Sequence, residues 1–274
     1  MLLSLFTFTV SDAVTKWLTQ TYPIGELIFV RSFFIIAPVL MVVWYRNDWG
    51  SLRTVNRRMQ FLRAFLVVLS TVLIVTSLKL LPLADYVAFL HSAPLVITAL
   101  AWPLLRERVG WHRWAAVLVG FVGILIMTRP APGIFQLAAL VPIAAACSTA
   151  LRDIVTRRMS ETETTNAMMV WPVIGLVVAS APFAPAGWVT PDLADFGLMA
   201  ISGFLVGISH YLLIEAYRFA EVTLVAPFKY SSLVWAVLLG YMVWGQLPDA
   251  WITTGAIIVI ASGLYILHRE AMRR

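Results

Sequence analysis

The chain has 274 residues, 61% hydrophobic and only 12% charged, against about 25% charged in an ordinary soluble domain, so a water-surrounded globule is excluded for want of polar surface. A formal net charge of +6 would suggest a nucleic-acid partner in a polar chain; in an apolar one, the placement of the cations relative to lipid decides. One cysteine, Cys147, and no Cys/His cluster of zinc spacing exclude an intrachain disulfide scaffold and a structural metal site.

A hydrocarbon core of about 30 Å needs about 20 apolar residues per helix. In chain order the sequence divides into ten blocks of that kind, 1–19, 25–45, 61–80, 83–104, 112–129, 134–156, 165–185, 194–217, 222–244 and 249–268, with no loop long enough for a soluble domain. An all-α integral membrane protein of ten transmembrane helices is expected. The first block lacks a basic leading region and carries Asp12 and Lys16 inside its apolar run, so it reads as a true span rather than a secretory signal. With Met1 at its edge, a longer natural chain upstream stays open.

Positive loops are retained on the cytoplasmic side. With the N-terminus inside, cytoplasmic segments hold Arg46, Arg53, Arg57, Arg58, Arg63, Arg106, Arg108, Arg113, Arg157, Arg158, Arg218, Arg269, Arg273 and Arg274, and the other side holds only Lys79 and Arg129. Both termini are therefore expected in the cytoplasm and the chain in a bacterial inner membrane, and topology accounts for the positive charge without nucleic acid.

Shifted by 141, the segment Asp12-Ala13-Val14-Thr15-Lys16 lies over Asp153-Ile154-Val155-Thr156-Arg157. A shift of 139 lays Lys79, Phe89 and Ser92 over Arg218, Phe228 and Ser231, and a shift of 140 lays Trp111 and Gly123 over Trp251 and Gly263. The near-constant offset implies a duplicated five-helix unit, residues 1–129 and 130–274. Five spans is odd, so the copies enter the membrane oppositely, an inverted repeat of the kind that gives secondary transporters two states open to opposite sides.

Ten spans, the duplication and the segment Pro23-Ile24-Gly25-Glu26-Leu27-Ile28-Phe29-Val30-Arg31 resemble the EamA-type transporters of the drug/metabolite transporter (DMT) superfamily, over nearly the whole chain. The second half departs from the pattern, with Pro172 where Arg31 would be. Within that superfamily the chain is most similar to the YddG-type aromatic amino-acid exporters. The resemblance implies export of aromatic and other neutral amino acids and related metabolites by alternating access through a central cavity.

Ionisable side chains inside a span usually face a cavity or a partner. His91 and Lys229 fall near mid-span, whereas Asp12, Arg31, Asp85, Arg152, Asp153 and Glu215 fall nearer span ends, where snorkelling or interfacial pairing is the ordinary fate. Trp17, Trp44, Trp49, Trp111, Trp114, Trp188 and Trp251 read as interface belt. Tyr86, Trp171 and Trp235 are candidates for a stacking pocket, with core packing as the alternative.

Steps of seven and four put His91, Thr98 and Trp102 on one helix face, and the 139 shift maps them onto Tyr230, Val237 and Tyr241. An inverted repeat should bring these stripes face to face, with Ser92 beside His91 and Lys229 beside Tyr230 able to attract a carboxylate. Gly120, Gly123, Gly255 and Gly263 strip side chains from spans five and ten, as Gly203 and Gly207 do in span eight, for close packing within the chain or between copies.

No phosphate-cradling loop, His-Glu-x-x-His or Gly-x-Ser-x-Gly is present, so no cofactor or enzyme activity is expected. A secondary exporter of small amphipathic metabolites is the leading reading, with a passive channel, a multidrug or other metabolite permease, and more remotely an intramembrane enzyme as alternatives. Proton coupling, substrate identity and oligomeric state stay open.

Overall fold

A computed structural model describes residues 1–105, 110–128, 134–160, 162–219 and 226–271, without the side chains of 101–105, 134–137, 217–219, 226–227 and 270–271. Every regular element among them is a helix, as lipid demands of a chain that must satisfy its own backbone. In order these are α1 (Leu2–Leu18), α2 (Ile24–Ile35), α3 (Ala37–Arg46), α4 (Arg57–Leu80), α5 (Leu83–Leu90), α6 (Ala93–Leu105), α7 (Trp111–Thr128), α8 (Ile134–Met159), α9 (Thr165–Ser180), α10 (Leu193–Phe219), α11 (Ser231–Trp244) and α12 (Ala250–Ala271), with 3-10 turns at Trp49–Leu52 and Ala226–Tyr230. Arg106, Arg108, Arg129, Arg273 and Arg274 lie outside the described residues, as does the side chain of Arg218.

Seven stretches among the described residues are long and apolar enough to cross a membrane: Ile24–Arg46, Arg57–Leu80, Leu83–Leu100, Trp111–Thr128, Ala138–Met159, Leu193–Ala216 and Ala250–Arg269. The remaining helices are shorter, 17 residues in α1, 16 in α9 and 14 in α11. The seven tryptophans read as belt residues are all exposed.

Prolines set the interruptions. Pro38 cannot donate a backbone hydrogen bond, and the second block accordingly divides at Ile36 into α2 and α3. Pro94 does the same to the fourth block, where His91 and Ser92 form the turn between α5 and α6. The ninth block opens with a 3-10 turn that ends at Tyr230. Two irregular segments thus fall on residues that the sequence marks as a facing pair.

Helix contacts follow the small and hydroxyl residues. α7 packs along α12, where a Cβ on Gly123 would come within 2.9 Å of the Gly255 carbonyl oxygen. α1 packs along α10 through hydroxyls on one face: Ser4 Oγ donates to the Ser209 carbonyl at 2.8 Å, and Ser11 Oγ to the Ser202 carbonyl at 2.9 Å. Gly203 and Gly207 of α10 lie against α2 and Pro38. α4 packs on α8 and α9, α2 on α9 and α10, α1 on α11, and α6 on α8.

Candidate functional site

The break between α5 and α6 meets the start of α11. The His91 and Tyr230 rings lie 5.1 Å apart between centroids, inclined by 51°. Ser232 Oγ is 3.2 Å from His91 Nε2 and donates to the Lys229 carbonyl at 2.9 Å, joining the two broken segments. The Tyr230 hydroxyl is buried without a hydrogen-bond partner among the described residues, pressed against Gly263 of α12. An orphaned buried hydroxyl costs stability.

Beside this pair lies a charged group on α8. Arg152 Nε and Nη2 both donate to Asp153 Oδ1, at 3.2 and 3.1 Å, and Lys229 Nζ stands 3.6 Å from Asp153 Oδ2. The three side chains keep 15%, 28% and 27% exposure respectively, so both signs of charge are open at one spot inside an apolar helical body. His210 of α10, packed edge-on to Phe8 at 4.7 Å, is close enough to Arg152, Arg63 and Asp153 to feel their charge.

The other expected residues divide. Trp235 stacks edge-on with Phe6 of α1 at 5.1 Å, its Nε1 buried without a hydrogen-bond partner among the described residues. Ser92 and Thr98 are buried but return their hydroxyls to their own chain, at Phe89 and Pro94 carbonyls. Tyr241 faces outward at 59% exposure. Trp171 donates Nε1 to the Leu52 carbonyl at 3.1 Å, tying α9 to the 49–52 turn rather than joining His91 and Tyr230. The Trp102 side chain lies outside the described residues.

Tyr86 belongs to a second, closed cluster. Its hydroxyl bonds to Asp12, Arg31 stands within electrostatic reach of that carboxylate, and Arg31 Nη1 donates to Thr15 Oγ1. Arg31 is buried, which corrects the expectation of snorkelling or interfacial pairing for that span-end charge, and Tyr86, a candidate for a stacking pocket, is buried beside it; the cluster is drawn from α1, α2 and α5. Lys16 is buried too, its ammonium donating to the Leu78 and Leu81 carbonyls at the end of α4, at 3.0 and 2.6 Å. The shift that lays Asp12 over Asp153 was the signal that marked both clusters; Ser232 had none.

Two buried glutamates close the ends. Glu163, just before α9, accepts from Thr54 Oγ1 and from the Val55 and Asn56 amides, at 2.8, 2.9 and 2.8 Å, in the segment leading into α4. Glu26, on the first turn of α2, accepts from the Val189 amide at 3.0 Å, in the segment leading into α10. The 23 residues of Ile24–Arg46 lie between these ends, about 34 Å of helix.

Residues 1–129 match the EamA-like transporter family. Over 270 residues the chain is 30% identical to an S-adenosylmethionine uptake transporter of Rickettsia bellii, covering 98% of this chain and 92% of the relative. It is 29% identical over 280 residues to a riboflavin transporter of Rhizobium johnstonii, covering 100% of this chain and 91% of that one. A solved crystal structure superposes with a TM-score of 0.72 at 20% identity, over 99% of this chain and 96% of its own, which establishes a shared fold.

Proposed function

The chain belongs to the EamA-like transporter family, and from that premise we propose that it is an alternating-access carrier for small metabolites that join a zwitterionic amino-acid head to a flat apolar part. It is a membrane transporter, and its seat in this reading is the bacterial inner membrane. Aromatic and other neutral amino acids, implied by the exporter resemblance, are the simplest such substrates. S-adenosylmethionine, named for the Rickettsia relative, has the same two parts, an amino-acid head and a purine.

The observation that carries the reading is the adjacency of an aromatic pair to charges of both signs. Asp153 is 3.6 Å from Lys229, and the next residue, Tyr230, faces His91. A substrate carboxylate fits Arg152 or Lys229, an ammonium fits Asp153, and the flat part lies against Tyr230, His91 and Trp235. Both broken segments sit here, and irregular backbone at membrane depth belongs where it lines a cavity.

Alternation rests on an inverted repeat of ten spans. The packing supports it: under the exchange of halves, α1 on α10 corresponds to α8 on α4, α2 on α10 to α9 on α4, and α6 on α8 to α11 on α1, while α7 on α12 and α2 on α9 map onto themselves. Glu163 and Glu26 exchange likewise, as closures of opposite ends. A carrier of this kind runs down whichever gradient exists, so export and uptake are one cycle under opposite gradients.

Counterflow in proteoliposomes tests the reading. Labelled tryptophan or S-adenosylmethionine should accumulate transiently in vesicles preloaded with the unlabelled compound, and His91→Ala or Lys229→Met should abolish this at unchanged expression and melting temperature. Equilibration without overshoot would mean a channel, and full activity in both variants would move the cavity elsewhere. Single cysteines at positions 53 and 272 should label from the cytoplasm and one at 192 from outside, in a background with Cys147 replaced.

A further inference from the structure

On the exposed face where α7 meets α12, a groove of about 480 Å³ is lined by Trp111, Val119, Ile257, Ala261 and Tyr265, with His112 at one end. From Trp111 to Val119 the helix rises about 12 Å, most of the roughly 15 Å that one leaflet's hydrocarbon occupies. The groove is therefore a slot along one leaflet, and its charged end is where headgroups lie. There Arg269 Nε donates to the Tyr265 hydroxyl at 3.2 Å and its guanidinium lies 5.6 Å from the Tyr265 ring centroid. Among the described residues its Nη groups meet no protein acceptor. His112 stacks on Trp111 at 3.8 Å across the same mouth, and Arg113 follows on α7.

We propose that this groove binds an anionic phospholipid, one acyl chain along α7 and α12 and the phosphate at the Arg269 and His112 end. Charge chooses this occupant. A zwitterionic lipid gains less from Arg269 at the mouth, because its headgroup cation offsets the phosphate, and a second copy of the chain packed by the same face about a two-fold axis normal to the membrane would set Arg269 against Arg269. In the orientation given above the slot opens to the cytoplasmic leaflet, whose surface is negative.

The probes are phosphatidylglycerol and phosphatidylcholine of identical chains, added to the delipidated full-length protein. Native mass spectrometry should retain phosphatidylglycerol at least fivefold over phosphatidylcholine, with a higher melting temperature. Arg269→Gln combined with His112→Gln should remove the preference, and Ala261→Trp, which fills the slot, should remove retention itself. Should Ala261→Trp not fold, the exposed Arg269 and His112 pair decides alone. Soluble glycerol phosphate should bind no better to the protein than to the double variant, which separates a lipid from a free phosphate. Equal retention of both lipids, undiminished preference in the double variant, or a dimer formed through this face would overturn the proposal. Counterflow in pure phosphatidylcholine vesicles, expected unchanged in Arg269→Gln, reads the transport function independently.

Discussion

Asp12 and Asp153, matched by the 141-residue shift and both half-buried, differ in their partners: those of Asp12 are buried and those of Asp153 keep solvent access. Asp12 meets Tyr86 and the electrostatic reach of buried Arg31. Asp153 meets Arg152 and Lys229, and all three keep solvent access. The cause is visible in the helix that follows each: α2 carries Arg31, whereas α9 has Pro172 at the corresponding place. Without a deep cation from α9, Asp153 takes partners from its own helix and from the break before α11. In the proposed reading, one acid of the pair holds helices together and the other is released for a substrate.

The largest effect should come from breaking the first cluster. Arg31→Met takes a buried guanidinium out of the electrostatic reach of Asp12 and deprives Thr15 Oγ1 of its donor, a loss on the order of 3 kcal/mol for a buried charged group and its partners. The variant should melt far below the parent in detergent, and Arg31→Met combined with Asp12→Asn should recover part of the loss. If Arg31→Met melts normally and only transport fails, the first cluster is as functional as the second and the contrast collapses.

At the two ends the imbalance runs the other way, which sharpens the comparison. Glu163 accepts three hydrogen bonds on one oxygen and Glu26 accepts one from Val189. With hydrogen bonds to a charged acceptor contributing about 1.5–3 kcal/mol each before relaxation, Glu163→Ala should destabilise by about 2–3 kcal/mol and Glu26→Ala by about half as much. Cysteine accessibility should rise at the residue 53 end in the first variant and at the residue 189 end in the second. Equal melting shifts would mean that the two closures are energetically alike.

Asp153→Asn should change stability by only about 1 kcal/mol, because an ion pair that keeps solvent access contributes little. Its mark is on transport: KM for a zwitterionic substrate should rise about tenfold, the equivalent of about 1.4 kcal/mol. A substrate analogue lacking the amino group should lose much less. A melting loss as large as that of Arg31→Met would place Asp153 in the same structural class as Asp12.

How far these roles could be read in advance follows from what sequence periodicity reports. The apolar blocks, the exposed belt tryptophans and the contact of Gly123 with Gly255 were legible because lipid imposes length and helix packing imposes small residues. The meeting of His91 with Tyr230 was legible through the 139 shift. Burial of Arg31 was not, since counting residues from a span end gives depth and says nothing of which helix lies alongside. Trp171 is a pocket candidate by its place inside the seventh block, while its partner, the Leu52 carbonyl, lies in a turn more than a hundred positions away. Lys16, a charge inside the first apolar run, caps α4, a role visible only once α1 is set beside its end.

The smallest stability change should come from Tyr230→Phe, and it is the most informative about the open site. The hydroxyl is buried, has no partner among the described residues, and occupies the space that a Cβ on Gly263 would need. Deleting an unpaired buried hydroxyl removes a desolvation cost rather than a bond, so Tyr230→Phe should melt at or slightly above the parent temperature. Gly263→Ala should by contrast be damaging, because the new methyl collides with that oxygen and lies within 3.1 Å of the ring carbon bearing it. The double variant should recover much of that loss, since removing the oxygen opens the volume the methyl takes. If the hydroxyl is kept to meet a substrate, Tyr230→Phe will show raised KM with unimpaired stability. Should it transport with parental KM, the aromatic face of Tyr230 serves the site and its oxygen does not.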